Sequence, residues 1–262
     1  MMNVILRLVG AHIIADFFLQ IDPINIGKHR RGGEGIRWLL LHGIIQGVIA
    51  YLCLGQWDNW FVPSFIMTTH MLIDYIKVVY TRCHSQKMCL QTRRESLIFV
   101  TDQLVHLLFI FLSVYLFWLL YGNWPASSGC IPLFNNNRIW LFVIGYMIIL
   151  KPAGILIAIL TKRWRNEIYD DGMRDGALVK SDSDSLVNAG AWIGYCERTI
   201  ALTCILLNCV EGVGFILAAK SIFRFGDLKE SKETKLTEYV LLGTLLSMVV
   251  ATCVGLLLRL LL

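Results

Sequence analysis

The sequence predicts an all-α membrane protein, a polytopic bundle of about eight transmembrane helices with no soluble domain. Of the 262 residues, 56% are hydrophobic and only 16% are charged, whereas a soluble domain carries about 25% charged residues. Apolar runs of about 20 residues, the length that spans a bilayer, recur along the chain. We therefore expect residues 1–262 to form a single membrane domain whose main partner is the lipid bilayer. The net charge of +5 is too small to indicate nucleic-acid binding.

The apolar runs divide the chain into two helical halves, 1–121 and 139–262. They fall at 2–20, 36–55, 59–80, 96–121, 139–161, 188–208, 209–225 and 236–261. The first run has Arg7 as its only early charge, which favours a membrane helix over a cleaved signal peptide. The seventh run is short, and Glu211 and Lys220 lie inside it, so it could be re-entrant, which would leave seven crossings.

The connecting segments alternate in charge and so predict the orientation. Basic residues concentrate in 27–37, 77–95, 162–187 and 224–235, whereas the loops near 56–59 and 122–138 are almost uncharged. Cytoplasmic loops carry an excess of Lys and Arg. The basic segments, including the long polar loop 162–187, are therefore predicted to be cytoplasmic, and both termini extracytoplasmic.

Pairs of His and Asp at helical spacing are the main functional signal. Residues four apart share one helix face, and three such pairs lie in apolar runs with a further histidine in the second run: His12 with Asp16, His70 with Asp74, Asp102 with His106, and His42. The predicted topology places all seven at a similar depth near the cytoplasmic leaflet. Ionisable groups inside membrane helices indicate a functional site, so one shared site is expected.

Imidazole and carboxylate together predict a divalent-metal site. All seven residues are candidate ligands, either for one metal with supporting partners or for two metals bridged by a carboxylate. Zn²⁺ is favoured, with Mn²⁺ or Fe²⁺ as alternatives. An aspartate not committed to metal, from Asp16, Asp74 and Asp102, could act as general base. The alternative interpretations are a packing network and a proton relay.

Amide and basic residues beside these ligands are expected to support the site. Gln46 lies four residues after His42, on the same helix face. The expected supporting residues here are Gln20, Gln46, Lys77 and Gln103.

The second half carries a different polar set. Its basic residues could hold a phosphate or carboxylate, supported by two glutamates: Lys151, Arg198, Lys220 and Arg224, with Glu197 and Glu238. The alternative is a set of ion pairs between helices, Glu197 with Lys220 and Glu238 with Arg224.

Several motifs resemble a bacterial membrane family catalogued as a domain of unknown function, DUF3307. The resemblance rests on His12-x-x-x-Asp16-Phe17-Phe18-Leu19-Gln20, Lys28-His29, His42, His70-x-x-Ile73-Asp74-Tyr75-x-Lys77, Asp102-Gln103-x-x-His106, Glu197-Arg198, the run from Gly214 to Gly226, Glu238-Tyr239 and the run from Gly243 to Ser247. It covers nearly the whole chain and implies a multi-pass protein of the bacterial inner membrane, but no activity. The His-x-x-x-Asp pattern is also similar, more loosely, to membrane-bound metal-dependent hydrolases of the YdjM type.

Three functions are consistent with these observations. The first is a metal-dependent hydrolase acting on a lipid or lipid-linked anionic substrate near the membrane interface. The second is a proton- or metal-ion-coupled transporter or channel, although the His/Asp pairs occur only in the first half and no internal repeat is evident. The third is a non-catalytic membrane component of a signalling or defence system. An oligomer is compatible with each of them.

Overall fold

The computed structural model describes residues 1–83, 91–122, 135–167, 180–225 and 231–262. These residues are helical with short connections and contain no strand, so the predicted all-α fold is confirmed. The helices are α1 (Met2–Ile13), α2 (Asp22–Lys28), α3 (Gly33–Leu54), α4 (Phe61–Cys83), α5 (Gln91–Tyr121), α6 (Asn137–Leu160), α7 (Lys180–Leu206), α8 (Val210–Phe225) and α9 (Ser231–Leu261), and α1 continues as a π-helical turn over Ile14–Phe18.

The apolar helices indicate a membrane protein. Within the part of the chain that the structure describes, four are long and apolar enough to cross a bilayer, Gly33–Leu54, Arg94–Tyr121, Asn137–Leu160 and Glu238–Leu261, and the bent pair Met2–Phe18 and Asp22–Lys28 would be a fifth. Helices α4 and α7 also form where crossings were expected, but they are not among these, since both carry several polar side chains. The total of eight crossings, or seven, stays a prediction.

The predicted polar loop 162–187 is partly helical. Residues 162–167 and 180–187 are in helices, while 168–179 lie outside the described residues. Parts of the other expected loops, 84–90, 123–134 and 226–230, also lie outside the described residues.

The described residues form two compact units that divide within α6, an N-terminal unit (Met1–Ile144) and a C-terminal unit (Gly145–Leu262). In the N-terminal unit, α1 packs against α3 and α5, and α4 packs against the same two helices. These four helices therefore form a closed ring, with the short α2 packed on α3. In the C-terminal unit, α7 packs against α8 and α9 around the buried residues Ala201, Met248 and Ala251.

Local contacts stabilise the end of α3 and the start of α4, at the opposite end of the N-terminal unit from α2. Gly55 ends α3 in the left-handed conformation (φ 63°), which glycine adopts without steric penalty. The side chain of Asn59 accepts a hydrogen bond from the Val62 N–H at 3.3 Å, at the start of α4. The buried Arg7 side chain donates to the Leu54 carbonyl at 2.9 Å, a carbonyl in the last turn of α3 that lacks a helical partner.

The interior of the N-terminal unit has an apolar layer and a polar layer. The apolar layer comprises Val4, Leu8, Ala11, Ala50, Leu54, Val62, Ile66, Ile110, Val114 and Phe117. In α1 and α4 these residues precede the His and Asp positions along the chain, and in α3 and α5 they follow them. This reversal is what antiparallel neighbours require, and it brings the polar residues of all four helices to the same end of the apolar layer.

Candidate metal centre

Seven ionisable side chains meet in the polar layer of the N-terminal unit. We call them the His/Asp cluster: His12, Asp16, His42, His70, Asp74, Asp102 and His106. Their side chains are largely buried. The most exposed of the three carboxylates is that of Asp16, and its side chain is only 8% exposed. The ring centroid of His12 lies 5.6 Å from that of His70 and 5.1 Å from that of His106. The sequence-predicted pairs therefore share one site.

Three ligand atoms form a compact triangle at the centre of the cluster. The Nε2 atoms of His42 and His70 are 3.0 Å apart. Asp16 Oδ1 lies 3.0 Å from the first and 3.3 Å from the second. Two ligands of one metal ion at bond lengths of about 2.1 Å are about 3.0–3.4 Å apart in octahedral or tetrahedral geometry. The triangle thus has the dimensions of one face of a metal coordination shell.

Asp74 lies beside this triangle, with one carboxylate oxygen toward the triangle and the other toward His106. Its Oδ2 is 3.7 Å from His42 Nε2 and 4.0 Å from His70 Nε2. Its Oδ1 is 3.8 Å from His106 Nε2. The same carboxylate therefore faces the nitrogens of His42 and His70 through one oxygen and that of His106 through the other.

The His106 side of the cluster contains buried polar atoms that have no hydrogen-bond partner. His106 Nε2 and Asp102 Oδ1 are 3.6 Å apart, and neither makes a hydrogen bond among the described residues. Both side chains are 3% exposed. Since a buried polar atom is normally paired, these two atoms indicate a binding position for a further group.

His12 is held by the glutamines that were expected to support the site. Gln46 donates to its Nδ1 at 2.8 Å, so its Nε2 carries the proton and donates to Gln103 Oε1 at 3.2 Å. The amide of Gln103 also donates to Asp16 Oδ2 at 3.2 Å. Both ring nitrogens of His12 are therefore engaged by amides, and this histidine positions its neighbours.

Two lysines form ion pairs with two of the three carboxylates of the cluster. Lys28 Nζ lies 2.6 Å from Asp74 Oδ2 with both side chains buried, and Lys77 Nζ lies 2.6 Å from Asp102 Oδ2. With neutral imidazoles, three carboxylates and two ammonium groups leave one formal negative charge. A bound cation would offset this charge, which is otherwise unfavourable away from water.

Lys28 is the site residue that the sequence analysis missed. It was placed in the basic segment 27–37, whereas α2, which is bent by 87° relative to α1, carries it into the bundle. Gln20 lies beside it: with its amide oxygen turned toward the ammonium, Gln20 accepts from Lys28 Nζ at 2.9 Å. Arg82 secures the connection after α2 by donating to the carbonyl of Arg30 at 2.6 Å. The sequence signal that could have revealed α2 is Asp22-Pro23, because proline is common in the first turn of a helix.

The π-helical turn places Asp16. Residues Ile14–Phe18 continue α1 with wider hydrogen bonding, a feature that is rare and frequent at functional sites. Asp16 lies in the middle of this turn. Its two oxygens contact His42 on α3 and Gln103 on α5, so the turn links the helices on either side of α1.

Two of the four basic residues predicted in the second half, Lys220 and Arg198, have partners within the C-terminal unit. Lys220 pairs with Glu197 at 2.6 Å, as the ion-pair alternative predicted. The buried Arg198 donates to the Ile149 carbonyl and to Ser247 Oγ at 3.2 Å. Lys151 lies in α6 and Glu238 is exposed in α9. The side chain of Arg224 lies outside the described residues.

The sequence model of a known family matches the part of the chain that contains the cluster. The sequence model of DUF3307, described as a protein of unknown function, matches residues 4–130. No curated protein and no solved structure matches the chain. The matched range contains the whole His/Asp cluster with Lys28 and Lys77, while the motifs quoted beyond it stay a prediction. The resemblance seen in the motifs is confirmed for this range: residues 4–130 of the chain belong to the DUF3307 family.

Proposed function

We propose that the N-terminal unit binds a divalent metal ion and acts as a metal-dependent hydrolase on a lipid or lipid-linked anionic substrate. The observation that carries this proposal is the triangle of His42 Nε2, His70 Nε2 and Asp16 Oδ1, whose sides measure 3.0, 3.0 and 3.3 Å. These separations match those between ligands of one metal ion. Hydrogen bonding alone would not require three such atoms to converge.

The donor set favours zinc. Imidazole nitrogen and carboxylate oxygen suit Zn²⁺, and they also suit Mn²⁺ and Fe²⁺. Asp74 Oδ2, 3.7 Å from His42 Nε2, could complete a four-ligand set after a shift of a few tenths of an ångström. We therefore propose Zn²⁺ as the cofactor, with Mn²⁺ or Fe²⁺ as the alternatives.

Hydrolysis fits the chemistry of this set. A bound divalent metal lowers the pKa of its water to about 7 and polarises a phosphoryl or carbonyl oxygen. Oxygens of Asp16, Asp74 or Asp102 that do not bind the metal are within the same cluster and could accept the proton of the attacking water. Lys28 and Lys77 would attract an anionic group to the same place.

The apolar layer favours a hydrolase over a transporter. It lies between the cluster and the ends of the helices at Leu54 and Phe117. The buried polar side chains at this level, Arg7 and Ser113, donate to the backbone carbonyls of Leu54 and Ile110. A path for ions would need polar groups directed at the passing ion on that side as well. The cations Lys28, Lys77 and Arg82 instead lie toward the other end of the helices, so the cluster is approached from one side.

The location of the protein is part of the proposal. The basic segments support an inner membrane of a bacterium, with the lysine end of the N-terminal unit toward the cytoplasm. The substrate would then meet the cluster near the cytoplasmic interface, where the anionic head groups of lipids are found.

Metal content is the decisive test. Metals should be measured by mass spectrometry on detergent-purified protein, in the wild type, in His70→Gln, and in His29→Gln as the matched control, since His29 is exposed and outside the cluster. We expect bound Zn, Mn or Fe in the wild type and in His29→Gln, and its loss in His70→Gln. Hydrolysis of phosphoester and lipid-linked substrates should then stop with a chelator and resume with metal.

A folded wild type that binds no divalent metal would contradict the proposal. The same seven residues would then be a proton relay or a packing network, and coupled transport would become the first hypothesis. Metal binding without hydrolysis of any substrate tested would instead favour a non-catalytic membrane component.

A further inference from the structure

We infer that the His/Asp cluster has a second metal position, formed by His106 and Asp102, and that the Asp74 carboxylate bridges the two ions. The inference rests on the proposed function and extends it from one ion to a pair. The first position is the one described above, at His42, His70 and Asp16.

The two oxygens of Asp74 point to different ligand groups. Oδ2 faces His42 and His70 at 3.7 and 4.0 Å, and Oδ1 faces His106 at 3.8 Å. A carboxylate that binds one ion through each oxygen is the usual bridge of a two-metal site, where the ions are about 3.5–4 Å apart. The rings of His70 and His106 are stacked with centroids 4.1 Å apart, so one histidine of each position lies next to one of the other.

The second position contains unpaired donor atoms. His106 Nε2 and Asp102 Oδ1 are buried, 3.6 Å apart, and without a hydrogen-bond partner among the described residues. Burial without a partner is unfavourable for both atoms, and one ion would satisfy them together. Their separation is slightly longer than the spacing of about 3.0–3.4 Å between ligands of a bound ion, so the two side chains would draw together slightly.

Asp16 supplies a further ligand to this position. It contributes an atom to a group with Asp102 and His106 whose ligand atoms lie within 4.8 Å of one another, and its Oδ1 lies 3.0 Å from His42 Nε2 and 3.3 Å from His70 Nε2 at the first position. Asp16 therefore lies between the two positions, as Asp74 does. Lys77 holds the other oxygen of Asp102 at 2.6 Å, which leaves Oδ1 directed at the proposed ion.

Two ions in one cluster predict an anionic ligand. Two divalent cations with Lys28 and Lys77 exceed the charge of three carboxylates. An anion with several oxygens, such as a phosphate group, would balance this charge, and a metal pair is suited to stabilising both the attacking and the leaving oxygen of a phosphoester.

Manganese is a suitable probe because its paramagnetism reports on neighbouring ions. The full-length protein should be loaded with Mn²⁺ in detergent, its bound metal counted, and its electron paramagnetic resonance spectrum recorded at low temperature. We expect two ions per chain and a spin-coupled spectrum. His106→Gln should retain one ion with an uncoupled spectrum, and His29→Gln should retain two.

The outcomes separate this inference from the proposed function. One uncoupled ion in the wild type, retained in His106→Gln, would overturn the second position and leave the first intact. Loss of all metal from folded His106→Gln would also overturn it, since His106 would then belong to the same ion as His70. A metal-free wild type would overturn both proposals. If His106→Gln does not fold, Asp102→Asn tests the same position, and the coupled spectrum of the wild type needs no variant.

Discussion

Lys28 and Asp74 form a buried ion pair, with Nζ and Oδ2 2.6 Å apart and side-chain exposures of 5% and 4%. Lys28 is in α2 and Asp74 in α4, so the pair attaches the short helix to the ring. Removing one partner of a buried pair leaves an uncompensated charge, which typically costs about 3–5 kcal/mol.

Lys28→Met should therefore destabilise the metal-free protein by about 3–5 kcal/mol, and Zn²⁺ should recover most of this loss, because the ion offsets the charge of the carboxylate that has lost its ammonium partner. Thermal unfolding in detergent, with and without Zn²⁺, measures both effects. Arg30→Met is the matched control because it breaks an exposed pair with Glu34 (side-chain exposures 56% and 64%), worth about 1 kcal/mol at most. Equal losses in both variants, or no recovery with Zn²⁺, would contradict this role of Lys28.

Gln46→Met should weaken metal binding without abolishing it. Gln46 donates to His12 Nδ1, and His12 in turn holds Gln103. Gln103 donates to the ligand Asp16, so Gln46 positions that carboxylate through this chain of hydrogen bonds. Loss of a group that positions metal ligands typically lowers affinity about 10–100-fold. Competition with a chelator of known affinity measures the change. Gln56→Met removes a buried glutamine just beyond the end of α3, fourteen residues after His42, and it should leave the affinity unchanged. An equal loss there would indicate a general packing effect.

Arg198→Lys should lower stability and leave substrate affinity unchanged. The guanidinium donates to Ile149 and Leu150 carbonyls of α6 and to Ser247 of α9, and an ammonium cannot reproduce this planar fork. Hydrogen bonds from charged groups are worth about 1.5–3 kcal/mol each, so a loss of about 2 kcal/mol or more is expected. The unfolding temperature and KM should be measured together. A raised KM with unchanged stability would restore Arg198 as the anion-binding residue predicted from the sequence.

Thiol labelling should reveal which end of the N-terminal unit faces the cytoplasm. Cys83 is exposed at the end of α4 beyond Lys77 and Arg82, and Trp57, 47% exposed, lies beyond the other end of the ring. In a variant whose only cysteine is Cys83, a membrane-impermeant maleimide should react in inverted vesicles and not in intact spheroplasts. Trp57→Cys in a cysteine-free background should give the opposite result. The reverse pattern would invert the predicted topology.

The spacing of polar residues predicted much of the cluster. His70 with Asp74, and Asp102 with His106, lie on regular helices, so four-residue spacing places each pair on one face. Charge alternation along the chain predicted that the pairs would share a depth. Both arguments use only helical geometry and the direction of each helix, which the sequence specifies well in an apolar run.

The sequence could not predict what depends on departures from regular geometry. The π-helical turn at Asp16 and the bend of 87° before α2 are set by packing among four helices. Lys28 appeared to be an ordinary loop residue because a lysine beside Arg30 and Arg31 is normally solvated. Its burial becomes favourable only once Asp74 is placed beside it by α4.

The apolar layer also determines how the cluster would respond to a voltage. In a bilayer, an electric potential falls mainly across material that holds no mobile charge. In the N-terminal unit that material is the apolar layer of ten residues, which includes Val4 and Phe117. A cation entering from the lysine end would cross little of the field, although each charge that crosses the whole membrane gains about 2.3 kcal/mol per 100 mV. Occupancy of the cluster should therefore be nearly the same in an energised cell and in a depolarised one.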